Sequence, residues 1–200
     1  MLEYEQKFLN KGYKFIAGMD EAGRGPLAGP VVVACVVMPL DKQHLIDGVN
    51  DSKKLSPKKR DTLFQQIVDT ALCYSVSVVD HLTIDRINIL NATKQGMCEC
   101  VNKLSTQPDI VLVDAVKDLD VDVETLPIIH GDALSYSIAC ASIVAKVTRD
   151  RMMLEFDKQY PQYNFKQHKG YGTAEHIRLL KQYGKCPIHR NSFIKHFVEE

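Results

Sequence analysis

The chain predicts an α/β fold with a small helical extension at its C-terminal end, on three observations. Runs of β-branched residues, Pro30 to Met38 above all, mark buried strands. Segments of helical spacing with readable caps alternate with them. Beyond Pro161 the strand signals stop and a helical end follows. At 200 residues the length suits one domain, and 45% apolar with 25% charged residues excludes wholesale disorder. Lys and Arg number 25 and so do Asp and Glu, so this is no generic polycation, and a polyanion partner has to be met by local patches.

Lys14 to Met19 reads as a short strand ending at Asp20, followed by the turn Gly23-Arg24-Gly25-Pro26 and the valine-rich strand, a β-hairpin opened by acidic residues. Ser56-Pro57 is a helix start, and that helix should run to about Ala71 with Leu63, Ile67 and Val68 on one face. Leu72 to Val79 is a third strand. Thr83 caps a longer helix carrying Ile84, Ile87, Leu90, Met97, Val101 and Leu104. Ile110 to Val113 is a short strand that stops at Asp114. The alternation of Asp118, Asp120, Asp122 and Glu124 with Leu119, Val121 and Val123 lacks the glycine and spacing of a calcium loop, and reads as a solvated edge strand or loop. Asp132 precedes a long helix, Ala133 to about Phe156, whose first half is packed with small residues and so can lie close against a sheet. Tyr160-Pro161 breaks it. Thr173 caps a last helix, Ala174 to Tyr183, ended by Gly184.

No apolar run is long enough to cross a membrane, and Met1 to Asn10 lacks the layout of a signal peptide. The six cysteines stand mostly among apolar neighbours with no C-x-x-C pair. They read as buried thiols of a cytoplasmic protein rather than zinc ligands or disulfides.

Three acidic positions stand at strand ends or a helix start: Asp20-Glu21, Asp114 and Asp132. Strand ends of one sheet are neighbours, so these carboxylates can converge, and converged carboxylates repel unless cations or protons neutralise them. An all-oxygen donor set suits Mg²⁺ or Mn²⁺. Two such ions about 4 Å apart can activate water and stabilise the leaving oxygen of a phosphodiester. Taken singly, each acid has a plain structural alternative: Asp132 as a helix cap, Asp114 as a turn former. Asp20 and Glu21 cannot both face one site on a regular strand, so the strand should end or bulge there.

Gly23, Gly25 and Gly29 miss the dinucleotide fingerprint by one residue, and no G-K-[ST] follows. A turn that brings bare backbone against a sugar or phosphate fits better. Positive charge gathers at Lys53, Lys54, Lys58, Lys59 and Arg60, beside the loop Asn50-Asp51-Ser52. Lysines at a helix N-terminus oppose the macrodipole, which favours an external anion. Residues 151 to 200 carry nine Lys/Arg against five Asp/Glu, so basic charge collects in the last quarter of the chain. There His168-Lys169-Gly170-Tyr171-Gly172 joins basic groups, an aromatic face and glycines. A metal-independent nucleic-acid binder is the competing class. A nucleotide-binding phosphotransferase would need the missing phosphate loop.

Ile16 to Pro30, IAGMDEAGRGPLAGP, resembles the opening signature of type 2 ribonuclease H, specifically bacterial ribonuclease HII. The resemblance continues through Asn50 to Leu55, Val113-Asp114, Gly131-Asp132-Ala133, Ala141 to Arg151, His168 to Thr173 and His189 to Phe193. It implies a ribonuclease H-like mixed sheet flanked by helices: a catalytic core over residues 1–158 with a substrate-sensing extension over 159–200, or one domain over 14–200. It implies that Asp20, Glu21, Asp114 and Asp132 bind two Mn²⁺ or Mg²⁺ ions. It implies an endoribonuclease that acts on RNA–DNA hybrids and on ribonucleotides embedded in duplex DNA. The cut falls 5′ of the ribonucleotide and leaves 3′-hydroxyl and 5′-phosphate ends. The Gly23-Arg24-Gly25 turn would contact the 2′-hydroxyl through its backbone, and Tyr171 would pack on the following sugar. Asn50, Ser52, Lys53, Lys54 and Lys169 match positions near substrate phosphates. Nothing in the chain suggests an obligate oligomer, so a monomer is expected, with no membrane partner. Two positions depart from the pattern: His130 stands where lysine is common, and Ala115 where glycine commonly follows the third acid. The sister type, ribonuclease HIII, usually has lysine at the position of Arg24.

Overall fold

A computed structural model describes residues 1–198. In chain order, α1 (Glu3–Leu9) precedes β1 (Ile16–Ala22) and β2 (Val31–Val37). Next come α2 (Pro57–Thr70), β3 (Cys73–Val79), α3 (His81–Ile87) and α4 (Ile89–Lys103). Then follow β4 (Ile110–Asp114), β5 (Glu124–Ile128), α5 (Gly131–Leu134), α6 (Tyr136–Gln159), α7 (Phe165–His168), α8 (Ala174–Tyr183) and α9 (Asn191–Ile194).

The five strands form one mixed sheet in the order β3-β2-β1-β4-β5. β1, β2 and β3 run antiparallel in sequence, while β4 is parallel to β1 and β5 to β4. β2 is buried at every position because helices cover both of its faces. Alternation assigns the faces. Ala34 and Val36 pack with α6 and, outside it, with Leu63 and Ile67 of α2. Val33, Cys35 and Val37 pack with Met97, Cys100 and Val101 of α4. A mixed sheet with helices on both faces is the architecture that the resemblance implies.

The small residues of α6 let its backbone approach β1 closely, as expected. A Cβ on Gly18 would overlap the main-chain carbonyl of Ser137. Gly18→Ala has no flexible neighbour to displace. It is expected to destabilise the protein by about 3 kcal/mol or more, read as a lower urea midpoint. An unchanged midpoint would mean that α6 can back away from the sheet.

Several boundaries differ from the sequence reading. β1 starts at Ile16 and does not end or bulge at Asp20. It pairs in unbroken register through Asp20↔Ala34, Glu21↔Val33 and Ala22↔Val32. The helix expected from Thr83 is two helices. Asp80 caps α3 by accepting the Thr83 N–H, and the chain breaks at Asn88, whose φ is 66° and whose side chain caps α4. Leu90, expected on the buried face, is exposed. Asp132 lies within the short helix α5 rather than before a long one. Ser135 accepts the Ile138 N–H and caps α6, which extends to Gln159. The acidic alternation does lead into an edge strand, β5, which opens at Glu124. All six cysteines are free, and all but Cys98 are buried.

Helix α1 docks on the α5–α6 junction. Glu5 is fully buried there, its Oε1 accepting from Ser135 Oγ at 2.6 Å and from Ser137 N at 2.9 Å, while Tyr136 N donates to the Met1 carbonyl. No helix among the described residues is long and apolar enough to cross a membrane.

Candidate active site

Because β1 and β4 are parallel neighbours with Met19 opposite Val113, their next residues, Asp20 and Asp114, emerge side by side where the pairing of these two strands stops. Helix α5 lays Asp132 over them. The link is direct, since Gly131 N donates to Asp114 Oδ1 at 2.8 Å. A Cβ on Gly131 would press on the terminal methyl of Ile138, so glycine suits that close approach. Asp20, Asp114 and Asp132 each offer an oxygen, and these lie within 4.8 Å of one another. Asp20 and Asp132 are 5% and 6% exposed, so water screens them poorly.

Glu21 does not join this trio. It stays close to the cluster, since its charge acts on Asp20, and Asp114 and Lys53 act on it in turn. Glu21 Oε1 meets Arg24 Nη1 at 3.3 Å, while its Oε2 is buried with no hydrogen-bond partner.

Burial pushes the Asp20 carboxyl well up, and the charges of Glu21 and Asp114 push it further. Burial also raises Asp114, with Asp132 adding to it, and burial raises Glu21 against the pull of Arg24. Lys53 Nζ lies 3.6 Å from Asp132 Oδ2. Partial burial works to lower the Lys53 pKa, but the facing carboxylates of Asp132 and Asp20 outweigh it and hold the ammonium charged. One exposed lysine does not neutralise three converged acids. A hard, all-oxygen donor set with an orphaned carboxylate oxygen beside it fits Mg²⁺ or Mn²⁺.

The two departures from the family pattern both flank this cluster at positive φ. Ala115 follows Asp114 at φ 54°, and His130 precedes Gly131 at φ 58°. Glycine adopts the first conformation without strain, whereas alanine holds it at a cost. His130 is exposed.

Of the expected phosphate contacts, Asn50, Lys53 and Lys54 are exposed, and Lys169 is half-buried with φ 51°. Ser52 is buried, its hydroxyl 2.8 Å from that of Ser142. It therefore braces the loop against α6 instead of presenting a hydroxyl to solvent.

The glycine turn and the tyrosine loop form a second unit. Arg24 and Gly25 are exposed, Gly23 is buried at φ 100°, and Tyr171 is 41% exposed with its ring over the Gly25 side of the turn. Leu27 N donates to the Gly170 carbonyl at 2.8 Å and ties the two segments together. Beside Tyr171 lies a cleft of about 430 Å³ lined by Arg60, Lys146, Arg151 and Lys169 among others. Two arginines that the sequence reading held only inside motif strings organise this unit. Arg190 donates to the carbonyls of Gly23, Arg24 and Gly29, and Arg149 to those of Ala28, Pro30 and Lys169. No sequence signal marks an arginine as buried, since the residue type is normally exposed.

Behind Tyr171 three imidazoles gather, and two of them form a directed chain. Cys186 N–H donates to His189 Nδ1, which leaves the His189 proton on Nε2, facing His176 Nε2 at 3.1 Å. His176 Nδ1–H then donates to the Tyr171 carbonyl at 2.9 Å. His168 stacks on His176 at 4.4 Å and accepts from Gly170 N. Burial lowers His176 and His189 to about 4 each. Both are neutral when folded and titrate near 6.5 when unfolded, so their contribution is full above pH 6.5 and drains away as pH falls toward 4. The expected loss is on the order of 3 kcal/mol for each of the two histidines. It is read as a urea midpoint that falls across that window, with a shallower slope in His189→Gln. Equal slopes in both proteins would refute the neutral chain.

Acids converging where the pairing of neighbouring parallel strands stops, in a sheet of this order, define a ribonuclease H-like hydrolase. The ribonuclease HII family profile matches residues 17–196. Ribonuclease HII of Caldicellulosiruptor bescii is 55% identical over 196 residues, covering 98% of this chain and 94% of that one. The Ruminiclostridium cellulolyticum protein of the same name is 54% identical, covering 100% and 77%. Among solved structures, ribonuclease H2 from Pyrococcus horikoshii superposes with a TM-score of 0.77 at 29% identity, covering 90% of this chain and 93% of that one. This chain belongs to the ribonuclease HII family and is a type 2 ribonuclease H.

Proposed function

We propose that this ribonuclease H hydrolyses the RNA strand of RNA–DNA hybrids and nicks duplex DNA 5′ of embedded ribonucleotides, leaving 3′-hydroxyl and 5′-phosphate ends. The observation that carries the reading is the convergence of Asp20, Asp114 and Asp132 within 4.8 Å in a largely buried setting. Those three would hold divalent Mg²⁺ or Mn²⁺, with Glu21 adjacent as a fourth acid. Two such ions, once bound, supply water activation and stabilisation of the departing 3′ oxygen.

The chain's own residues do the rest. Asp20 and Asp114, fixed by strand register and the Gly131 amide, would form part of a donor set assembled before any cation arrives. Lys53, beside Asp132, offers positive charge to an approaching phosphate. In the glycine turn, arginines take up the carbonyls, so the exposed backbone at Arg24 and Gly25 is free to meet a 2′-hydroxyl. Tyr171 offers a ring face to the next sugar.

A duplex carrying one ribonucleotide tests this. Cleavage should fall on its 5′ side, stop with EDTA and return with Mg²⁺ or Mn²⁺. Binding without cleavage, or a cut that leaves a cyclic 2′,3′-phosphate, would contradict the reading.

A further inference from the structure

Arg149 sits in α6 with none of its surface exposed. Its chain neighbour Asp150 is engaged by Lys146 at 2.7 Å and faces Arg60. The Arg149 guanidinium spends its donors on main-chain carbonyls from two separate segments. Nε reaches Pro30 at 3.0 Å and Nη2 reaches Ala28 at 3.1 Å, on the glycine-turn side. Nη1 reaches Lys169 at 3.0 Å, two residues before Tyr171. Arg190, equally buried, makes its side-chain bonds to the glycine-turn segment alone.

A guanidinium is a rigid planar fork, so three carbonyls bound to one fork have a fixed separation. The surroundings leave no slack. A Cβ on Gly23 would overlap Arg149 itself, and one on Gly170 would press on the Ala28 carbonyl. The Arg149 guanidinium also lies 5.7 Å from the Tyr171 ring centroid. Turn and tyrosine are thus referenced to a single group that, beneath them, does not reach solvent.

We propose that Arg149 is a positioning residue for substrate discrimination. It sets the distance between the Gly23-Arg24-Gly25 turn and Tyr171. That distance sets the preference for a ribonucleotide followed by a deoxyribonucleotide over continuous RNA. The inference rests on the roles given to the turn and to Tyr171 under the proposed function. Lysine at this position keeps the charge but loses the fork, so the spacing relaxes while the carboxylates stay in place.

The test is the ratio of kcat/KM on a duplex with one ribonucleotide to kcat/KM on a continuous RNA–DNA hybrid. It is measured for the wild type, Arg149→Lys, Tyr171→Ala and the double variant. Arg149→Lys should lower the ratio about tenfold or more, with Mn²⁺ affinity unchanged and the Leu27 amide exchanging faster. The double variant should lose no more than Tyr171→Ala alone, because both act through one contact. Should Arg149→Lys fold poorly, Arg149→Gln takes its place. An unchanged ratio in the Arg149 variant, or additive losses in the double variant, overturns the positioning role. If Tyr171→Ala itself leaves the ratio unchanged, the role of the tyrosine fails first and this proposal falls with it.

Discussion

Asp20→Asn is expected to lower cleavage of a duplex with one ribonucleotide by about 10³-fold or more while leaving the fold intact. The substitution keeps the shape and the acceptor that takes the Glu21 N–H at 2.7 Å. It removes one charge from a site where burial already disfavours ionisation and where Glu21 and Asp114 repel it. Without divalent ions the variant should therefore be at least as stable as the wild type, since a buried, unneutralised carboxylate has been replaced by a neutral amide. Thermal melting in EDTA checks the second half, and gel assays of nicking check the first. Lost activity together with a collapsed melting curve would mean that Asp20 is structural. Retained activity would mean that the chemistry lies elsewhere.

The second large effect concerns the substrate. Replacing the single ribonucleotide by its 2′-deoxy counterpart should reduce cleavage by about 10⁴-fold, because a site built to bond a hydroxyl is left with unpaired polar groups when it is missing. The exposed backbone at Arg24 and Gly25, above carbonyls already taken by Arg190, is the candidate for that bond. The comparison uses two duplexes of one sequence differing in a single oxygen. Cleavage within tenfold of the ribonucleotide duplex would remove the turn from sugar recognition and leave only phosphate contacts to select the substrate.

What was legible in the sequence follows from which interactions are local. The valine strand, the Ser56-Pro57 start, the Thr173 cap and the small-residue face of the long helix are all written within a few neighbouring residues, and each appears in the fold. The break at Asn88 was hidden, because a left-handed asparagine gives no pattern until its own side chain is seen capping the next helix. Asp132 illustrates the same limit. Its sequence neighbourhood suggests a cap, yet Ser135 does the capping and Asp132 is turned toward Asp114. Glu21 is the converse case. Adjacent acids suggest a bulge, but pairing with β2 carries the strand straight through to Ala22, and Glu21 lies beside the three aspartates without joining them. Arg149, Arg190 and Glu5 were the least legible. Apart from the Lys169 carbonyl, their partners are backbone or serine groups more than 100 residues away, and charged residues are ordinarily read as surface.

The proposed activity depends most on divalent cations occupying the space among the three converged aspartates. Calorimetric titration of Mn²⁺ into the metal-free protein at neutral pH, alongside Asp20→Asn, addresses this most directly. The wild type should bind with measurable heat, and the variant should bind more weakly by about an order of magnitude or beyond. Equal affinity in the two proteins, or no binding by the wild type at millimolar Mn²⁺, would contradict it.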